Sequence, residues 1–319
     1  MKKINGVLGP INIEDLGYTL MHEHILSADW SMRIAFLKDW INYEEFIELA
    51  VAEVNMAIDT GIKTIVDATP IDLGRDVSVL REVAKRTGIQ IIASTGLYYN
   101  ETAMLKSQNK NIFLRWFMRE IEEGMQGTDT KPGVIKVASD LAGITELNGE
   151  ILKAAALANI KSGIPIYTHA TSINKIGIKQ QDIFERQGVN LRNVCIGHCG
   201  DCNDLEYMEK ILKRGSYIGL DRFGHDETFK VFNLEKRIET LIELYKRGWI
   251  EKLIVSHDFV CYLDFFGTEW REMKNIDTNN LPFDFCYFNK KVVPILLKRD
   301  ITLEEINTLI IKNPQSFFG

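Results

Sequence analysis

The amino-acid sequence predicts an α/β fold, a single (β/α)₈ TIM barrel that takes up all 319 residues. Eight short Ile- and Val-rich runs alternate with longer amphipathic segments along the chain, and no linker, composition break or repeat divides it. Eight βα units in one chain are typical of this barrel, which needs about 250 residues or more. The alternative is an open doubly wound sheet, but the GxGxxG and GxxxxGK[ST] patterns that often accompany that fold do not occur in the sequence.

The eight predicted strands are mostly continuous apolar runs, as expected for parallel strands that are buried on both faces. We place them at residues 18–22, 64–68, 90–95, 133–138, 165–169, 194–198, 217–221 and 253–256.

The segments between the strands predict helices. Residues 43–59 put Phe46, Ala50 and Val54 on one face at helical spacing. Residues 76–86, 149–161 and 235–247 show the same pattern, and Gly248 follows the last of them as a C-terminal cap. A final helix is predicted over residues 302–311, with acidic residues in its first turn and Pro314 beyond its end.

Composition and charge exclude several classes of protein. A hydrophobic content of 45% with 26% charged residues is that of a globular chain. The net charge of −6 argues against a nucleic-acid partner, and no apolar run approaches the roughly 18 residues of a membrane span. No apolar segment follows the first lysines, so no signal peptide is expected. Five cysteines without a secretory signal suggest reduced thiols and a cytoplasmic location.

Polar side chains stand at the ends of five predicted strands, where the active sites of barrels lie. Alternate residues of a strand face the same way, so the HxH pair after strand one directs two imidazoles to one side, which suits a divalent metal. One histidine alone is more often a structural residue, but five such positions in barrel order argue for a site. They are His22 and His24, Lys136, His169, His198 and Asp258.

A lysine inside an apolar strand needs a partner or must lose its charge, although a lone strand lysine more often reaches solvent. Four histidines and one aspartate can hold two metal ions, but the second ion needs a bridging anion. Lys136 supplies one if its neutral amine captures CO₂ and becomes a carbamate. Two metals that share this group and a hydroxide form a hydrolytic site.

This ordered set of residues resembles the phosphotriesterase family of the amidohydrolase superfamily, and most closely the phosphotriesterase-like lactonases. The resemblance extends from Gly6 to Phe318. The matching stretches are DLGYTLMHEH (15–24), TIVDAT (64–69), GRD (74–76), GVIKVA (133–138), IGHCGD (196–201), IGLDRF (218–223), SHD (256–258) and NPQSFF (313–318).

The resemblance implies a role for each ligand. His22, His24 and Asp258 would bind the more buried metal, and His169 and His198 the more exposed one. Carboxylated Lys136 and a hydroxide would bridge the two ions, with zinc expected first and manganese, iron or cobalt as alternatives. Asp258 would also take the proton of the hydroxide and pass it to the leaving alkoxide. Relatives are often homodimers, so a homodimer is expected.

Two residues favour the lactonase branch. Arg222 stands where phosphotriesterases proper resemble one another in carrying His, and Tyr98 matches the tyrosine that the branch has beside its metals. Both are candidates for catalysis and substrate binding. The alternatives are that Tyr98 is a packing residue of the barrel rim and that Arg222 forms a structural ion pair with Asp201 or Asp221.

An aromatic loop at about residues 259–288 is expected to cover the site, with Phe265 where a tryptophan is often found, although about half of its rings could instead pack against the outer helices. His225 is a further candidate substrate contact.

The resemblance implies opening of acyl-homoserine or γ/δ-lactones with a weak organophosphate triesterase side activity. The alternatives are a lactonase for phosphorylated sugar lactones, a phosphotriesterase or carboxylesterase proper, and a non-enzymatic binding barrel.

Two other features are interpreted as structural. Cys199 and Cys202 form a lone CxxC, and a structural zinc would require a second pair. His257 adjoins Asp258, so it should point away from the metals and is left out of the ligand set.

Overall fold

The computed structural model describes residues 2–225, 232–264 and 284–319. Within these ranges, parallel strands β3 to β10 follow one another around a sheet in which each strand pairs with the next along the chain, and helices surround the sheet. The predicted TIM-barrel fold is confirmed. The strands are β3 Tyr18–Ser27, β4 Ile62–Asp67, β5 Gln90–Leu97, β6 Val134–Ser139, β7 Ile166–Ala170, β8 Val194–Ile196, β9 Tyr217–Leu220 and β10 Leu253–Val255.

The ring closes where the end of β10 meets β3. The backbone N–H of His22 donates to Ser256 Oγ at 3.0 Å, and the N–H of Asp258 donates to the carbonyl oxygen of His22 at 2.9 Å. A further strand, β11 (Val260–Leu263), then pairs in parallel with β3 and places Val260 opposite His24. The segment that carries Asp258 is therefore fixed on both sides against the HxH segment.

The barrel interior is a layer of apolar side chains on the amino-terminal side of the polar cluster. Every barrel strand contributes to this layer, and residues from both ends of the chain pack against it, including Phe317 and Phe318. A hairpin of β1 (Lys3–Gly6) and β2 (Gly9–Asn12) lies at the start of the chain. The strand residues of the layer are Met21, Val66, Ile92, Val134, Tyr167, Cys195, Tyr217 and Ile254.

The four internal helices predicted from periodicity are present with bounds shifted by up to three residues. Three further helices were not predicted from the sequence: Ile112–Glu123, Ile176–Arg186 and Leu205–Lys213. The described helices are Trp30–Phe36, Tyr43–Asp59, Val77–Thr87, Ala103–Lys106, Ile112–Glu123, Glu146–Ser162, Ile176–Arg186, Leu205–Lys213, Leu234–Lys246, Val293–Lys298, Leu303–Asn307 and Asn313–Phe318.

The predicted end of the last helix is wrong. Thr302 and Glu305 form a capping box at its start, but the helical path continues through a π-helical turn, Thr308–Lys312, into Asn313–Phe318. Pro314 lies in the first turn of that last segment rather than beyond a helix end. Pro314 has no N–H to donate, and the N–H of Asn313 just before it donates to the Thr308 carbonyl oxygen, so the π-helical turn carries the helical path up to the proline.

The strand ends differ from the predicted ones by one or two residues, except at β3. β8 stops at Ile196 because His198 has φ +60°, a left-handed conformation that cannot continue a strand. β9 stops at Leu220, just before Asp221. β3 instead continues five residues past His22 to Ser27 and shifts its register against β4 between Leu20 and Glu23.

The five cysteines all lie within the described ranges and none forms a disulfide. In the part of the chain that the structure describes, every helix is too short or too polar to cross a bilayer.

Candidate metal centre

Six predicted ligands meet at the carboxyl end of the barrel. The His22 and His198 rings stack with centroids 4.9 Å apart, and His198 meets His169 edge-on at 4.5 Å. The four histidines and the lysine are at most 6% exposed. The six residues are His22 and His24 on β3, Lys136 on β6, His169 on β7, His198 after β8 and Asp258 after β10.

One group of converging ligand atoms consists of His22, His24 and Asp258. One atom from each lies within 4.8 Å of the others. Asp258 Oδ1 is 3.0 Å from His24 Nε2 and 3.3 Å from His22 Nε2. Two imidazole nitrogens and a carboxylate oxygen converging at this spacing fit one divalent cation of the zinc class.

Asp221 orients two of the histidines from behind. Its carboxylate accepts from Nδ1 of His22 at 2.8 Å and from Nδ1 of His198 at 3.1 Å, and also from Tyr167 Oη and the His198 N–H. With these four hydrogen bonds the carboxylate is satisfied. Asp221 therefore fixes the tautomer of both rings and leaves each Nε2 facing the centre. Ligand atoms of Asp221, His22 and His198 also lie within 4.8 Å of one another, so these three residues form a second group that could hold a metal ion.

The other two histidines are held in the same way by different partners. His24 Nδ1 lies 2.8 Å from Thr69 Oγ1, and His169 Nε2 donates to Asp140 Oδ2 at 2.7 Å. The Nδ1 of His169 accepts from the Tyr98 hydroxyl at 3.0 Å. The rings of His22, His24 and His198 thus have one nitrogen fixed by an oxygen and turn Nε2 toward the centre, whereas both nitrogens of His169 are hydrogen-bonded and a metal would replace the Tyr98 hydroxyl at Nδ1.

Burial lowers the pKa of the His22, His169 and His198 imidazoles and so favours the neutral form that binds metals. It lowers the pKa of His22 to about 4, and nearby Lys136 acts in the same direction. Burial, aided by Arg222, also lowers the pKa of His198 well below its usual range. The Asp221 carboxylate stays ionised, because the histidines that donate to it outweigh burial and hold its pKa well below the usual value.

Lys136 is 1% exposed, and its Nζ donates to His22 Nε2 at 2.6 Å. Burial lowers the pKa of Lys136 to about 8, which enlarges the neutral fraction of the amine. The neighbouring strand approaches very closely here, since a Cβ on Gly96 would lie 1.8 Å from the Lys136 carbonyl oxygen. Only glycine fits at that position, so the backbone around Lys136 is tightly defined.

Arg222 fixes Asp258 from the side opposite the histidines. Its Nε donates to Asp258 Oδ2 and its guanidinium NH₂ to Asp201 Oδ2, both at 2.8 Å. Arg237 completes the network by donating to Asp201 Oδ1 at 2.9 Å. Burial would raise the pKa of Asp258, but His22 and Arg222 hold it well below its usual range, so this carboxylate is ionised.

Comparison with known proteins agrees with this geometry. The model of the phosphotriesterase family matches residues 2–318. The chain belongs to the phosphotriesterase family. Members of this family are hydrolases that depend on two metal ions, and the donor set described above fits such a centre.

Relatives within the family have different named activities. An aryldialkylphosphatase of Saccharolobus solfataricus is 36% identical, with 97% of each chain covered. A phosphotriesterase homology protein of Mycobacterium tuberculosis is 33% identical over 100% of this chain and 98% of its own length. An N-acetyltaurine hydrolase of Danio rerio is 24% identical over 98% of this chain and 97% of its own. The family therefore establishes a hydrolase, and the substrate has to be argued from the site.

The predicted substrate contacts of this phosphotriesterase-family hydrolase are only partly described. Tyr98 lies against His169, with Tyr99 beside it at a ring distance of 4.4 Å. His225 Nε2 is 3.2 Å from the carbonyl oxygen of Asp258, close to the centre. Phe265 lies outside the described residues, as does most of the aromatic loop.

The described rings of that loop belong to the core. Phe259 packs edge-on against Phe285 at 4.9 Å, and Phe288 packs against Phe223 at 5.2 Å. Tyr262 and Tyr287 are also buried. These five aromatic residues pack the barrel and do not line an entrance.

Glu23, which stands between His22 and His24 on β3, was not predicted as a site residue from the sequence. Its fully buried carboxylate accepts from Ser256 Oγ, from Nδ1 and the N–H of His257, and from the N–H of Phe259, at 2.7–3.0 Å. These bonds hold Asp258 at φ +55°, a strained conformation for an aspartate. His257 therefore bonds to Glu23 rather than facing the metal ligands. The signal in the sequence was an acidic residue inside a buried strand.

Asp221, Thr69 and Asp140 were also not predicted as site residues. Each directly follows or closely follows a barrel strand, which was a usable signal, but nothing in the sequence pairs a given carboxylate with a given histidine. Asp201 was considered only as a partner of Arg222, and Arg237, on the helix Leu234–Lys246, was not considered at all.

We expect Asp221→Asn to lower metal affinity by roughly 10- to 100-fold, because an amide cannot accept from both histidine rings while keeping its other bonds. Metal content after dialysis against graded chelator concentrations measures the effect. Asp182→Asn, at a surface ion pair with Arg214, is the matched control. Unchanged affinity in Asp221→Asn would show that His22 and His198 keep their orientation without this carboxylate.

Proposed function

We propose that this protein opens lactone rings, with acyl-homoserine or γ/δ-lactones as substrates and weak organophosphate triesterase activity as a side reaction. The observation that supports this choice is the placement of Tyr98 and Arg222 at the centre. The Tyr98 hydroxyl contacts His169, and Arg222 holds Asp258. These are the two positions at which the chain resembles the lactonase branch.

In this proposal His22, His24 and Asp258 hold one divalent cation, and His169 and His198 hold the other. Carboxylated Lys136 is the ligand common to both. Zinc is the first candidate, with manganese, iron or cobalt as alternatives. When bound, two such ions lower the pKa of a shared water and polarise the substrate oxygen.

The residues of the chain supply the proton transfers and the orientation. The Asp258 carboxylate is ionised, and its Oδ1 lies among the proposed ligand nitrogens, 3.0 Å from His24 Nε2. A water held by these ligands would be within its reach, so Asp258 would take the proton of the attacking water and give it to the alkoxide of the opened ring. Arg222 stays protonated at neutral pH, so it transfers no proton and serves to hold Asp258 in position. Burial raises the pKa of Tyr98 well above its usual value, so its hydroxyl stays protonated and can donate to the lactone.

The alternatives have less support. A phosphorylated sugar lactone needs a free cation at the mouth of the site, but Arg222 is paired with two carboxylates, and burial lowers the pKa of His225 so that it stays neutral. A phosphotriesterase proper remains the second candidate, because an aryldialkylphosphatase is among the relatives. A binding protein without catalysis would be expected to lack a ligand, and all six proposed ligands are present.

A lactone panel tests the reaction. Acyl-homoserine, simple γ/δ and phosphorylated sugar lactones, together with a dialkyl aryl phosphate, are assayed on protein whose metals have been quantified. We expect kcat/KM to be highest for an unphosphorylated lactone. A higher kcat/KM for the phosphotriester would make triester hydrolysis the principal activity, and the absence of lactone turnover by metal-replete protein would contradict the proposal.

Tyr98→Phe should reduce kcat/KM for lactones by roughly tenfold, since one hydrogen bond to a charged or reacting group contributes about 1.5 kcal/mol. The phenylalanine ring keeps the contact with His169, so thermal stability should change little. Kinetics and Tm are measured on the same preparation, with Tyr99→Phe as the control. Equal losses of stability and activity would instead indicate that Tyr98 is a packing residue.

We also propose a homodimer in the cytoplasm. The segment Trp30–Phe36 and the residue after it expose apolar side chains, with Ile34 70% and Leu37 67% exposed, which is unusual unless such a surface is covered by a partner. Light scattering should give twice the chain mass of 36.5 kDa, and an Ile34→Asp, Leu37→Asp double variant should give the monomer. A monomeric parent protein would contradict the dimer.

The proposed cytoplasmic location is supported by the five free thiols, which are compatible with a reducing compartment.

A further inference from the structure

His257 is a buried imidazole that the proposed reaction does not use. It lies directly before Asp258 in the sequence and is 0% exposed. Its Nδ1 is 2.8 Å from Glu23 Oε1, and its Nε2 is 3.0 Å from the backbone nitrogen of Phe288. The two nitrogens of one ring thus connect β3 with a segment that lies 31 residues further along the chain than His257.

The direction of both hydrogen bonds is determined by the partners of the ring. The N–H of Phe288 can only donate, so His257 Nε2 accepts and carries no proton. The ring proton is then on Nδ1, which donates to the carboxylate of Glu23. A side chain that only fills space needs no polar atoms, because burying them has a cost unless they are paired. The pairing of both nitrogens therefore favours a bridging role for His257.

The Glu23 carboxylate holds the backbone on both sides of Asp258. Its Oε1 accepts from the Ser256 hydroxyl at 2.7 Å and from the His257 N–H at 3.0 Å, and its Oε2 accepts from the Phe259 N–H at 2.8 Å. Asp258 itself has φ +55°, a conformation that persists only where the surroundings enforce it. A displacement of the Glu23 carboxylate would therefore reach Asp258 from both of its neighbours.

The other end of the bridge, Phe288, is packed against a second support of Asp258. Phe288 is the first residue of a π-helical turn, and its ring packs edge-on against Phe223 at 5.2 Å. The Phe223 N–H donates to the Ser256 carbonyl oxygen at 3.2 Å. Phe223 directly follows Arg222, whose guanidinium holds Asp258. The segment to which His257 is attached is thus itself fixed against the barrel.

We propose that His257 is a positioning residue for Asp258. Phe288 fixes the ring, the ring fixes the Glu23 carboxylate, and this carboxylate holds the segment that carries Asp258. These links act in series, so the loss of either ring bond releases Glu23. The inference rests on the proposed proton transfer by Asp258, and it assigns His257 no contact with substrate or metal. Loss of the bridge should lower kcat, while the ligands keep the metal ions and KM changes little.

Asparagine, glutamine and phenylalanine at position 257 separate the two ring bonds. In His257→Asn the amide NH₂ lies near the place of Nδ1 and can donate to Glu23, but the shorter side chain does not reach Phe288. In His257→Gln the amide oxygen can lie near the place of Nε2 and accept from Phe288, but nothing replaces Nδ1. His257→Phe loses both bonds. We expect kcat to fall roughly tenfold in each of the three variants, because a misplaced carboxylate transfers the proton poorly.

The kinetics are measured on the panel substrate with the highest kcat/KM, at a temperature well below the Tm of every variant, with metal analysis of the same samples. Gln181→Met is the matched control. It removes a fully buried side chain that donates to the Ile211 carbonyl oxygen and to Ser216 Oγ. We expect this control to lower Tm and to leave kcat unchanged.

Three kinetic results would overturn the inference. The first is a kcat equal to that of the parent in the His257 variants. The second is a loss of metal in proportion to kcat, which would make His257 a support of the metal ligands in general. The third is a loss in His257→Phe equal to the product of the losses in the other two variants, because links in series do not add in this way.

Cobalt substitution separates this inference from the proposed reaction, since it needs no substrate. The visible absorption of bound Co²⁺ depends on the geometry of its ligands, of which Asp258 is one in the proposed centre. We expect the bands to differ from those of the parent in all three His257 variants and to be unchanged in Gln181→Met. This result in a protein that hydrolyses no panel substrate would overturn the reaction and support the bridge. Hydrolysis with identical spectra in parent and variants would overturn the bridge alone.

Discussion

Lys136→Ala should lose one of its two metal ions and nearly all of its activity. Lys136 projects from β6 next to His22 and is the only proposed ligand common to both ions. The remaining donors include one carboxylate, Asp258, so a second cation would face the first without a bridging anion. Loss of the charge stabilisation that the second cation provides should raise the activation free energy by about 4 kcal/mol, which lowers the rate roughly 10³-fold.

Metal content per chain and kcat/KM are measured on the same samples, after dialysis against metal-free buffer. Lys136→Met tests whether the cavity left by alanine is responsible, since methionine retains most of the side-chain volume. Lys131→Ala, at an exposed position shortly before β6, is the control and should keep both ions. Normal metal content and turnover in Lys136→Ala would refute the carbamate assignment.

Asp258→Asn should retain much of its metal and lose kcat by roughly 10²- to 10⁴-fold, the range of a lost general acid–base group. The amide oxygen can still face His24 Nε2, while the amide NH₂ takes the place of the oxygen that accepts from Arg222 Nε, so the side chain keeps its volume and its possible metal contact but loses the bond from Arg222. An amide cannot take up a proton near neutral pH, so the transfer to the alkoxide fails. The expected signature is a large loss of kcat with a small change in metal content.

Steady-state kinetics on the best lactone, with metal analysis of the same protein, decide this prediction. Asp59→Asn, at an exposed position at the end of the helix Tyr43–Asp59, controls for the change in charge. An unaffected kcat would remove Asp258 as the proton carrier. Loss of metal in proportion to activity would leave Asp258 as a ligand only.

The fold and the family followed from local patterns. Apolar runs and helical periodicity placed the eight barrel strands and four of the helices, because each pattern reports the burial of nearby residues. The differences arose where backbone conformation overrides the pattern. β8 stops short of His198 because that residue is left-handed, and the helical path passes Pro314 through a π-helical turn.

The residues of the site were also visible as types at strand ends, but their hydrogen-bond partners were not. Asp221 contacts His22 across 199 positions of sequence, and Glu23 contacts the Ser256–Phe259 segment across more than 230. Residue spacing carries no information about such pairs.

The sequence by itself determined a barrel of parallel strands, a phosphotriesterase-family chain and the six polar residues at the strand ends. Strand alternation fixes which residues share a face, and chain order fixes which strand ends share an edge of the barrel. Only the tertiary structure decided which nitrogen of each imidazole faces the centre. It also decided that Met21 and His22 both point inward, at the register shift of β3. A third such feature is that Arg222 holds Asp258. These features depend on hydrogen bonds and packing between residues that are distant along the chain and meet only when the barrel closes.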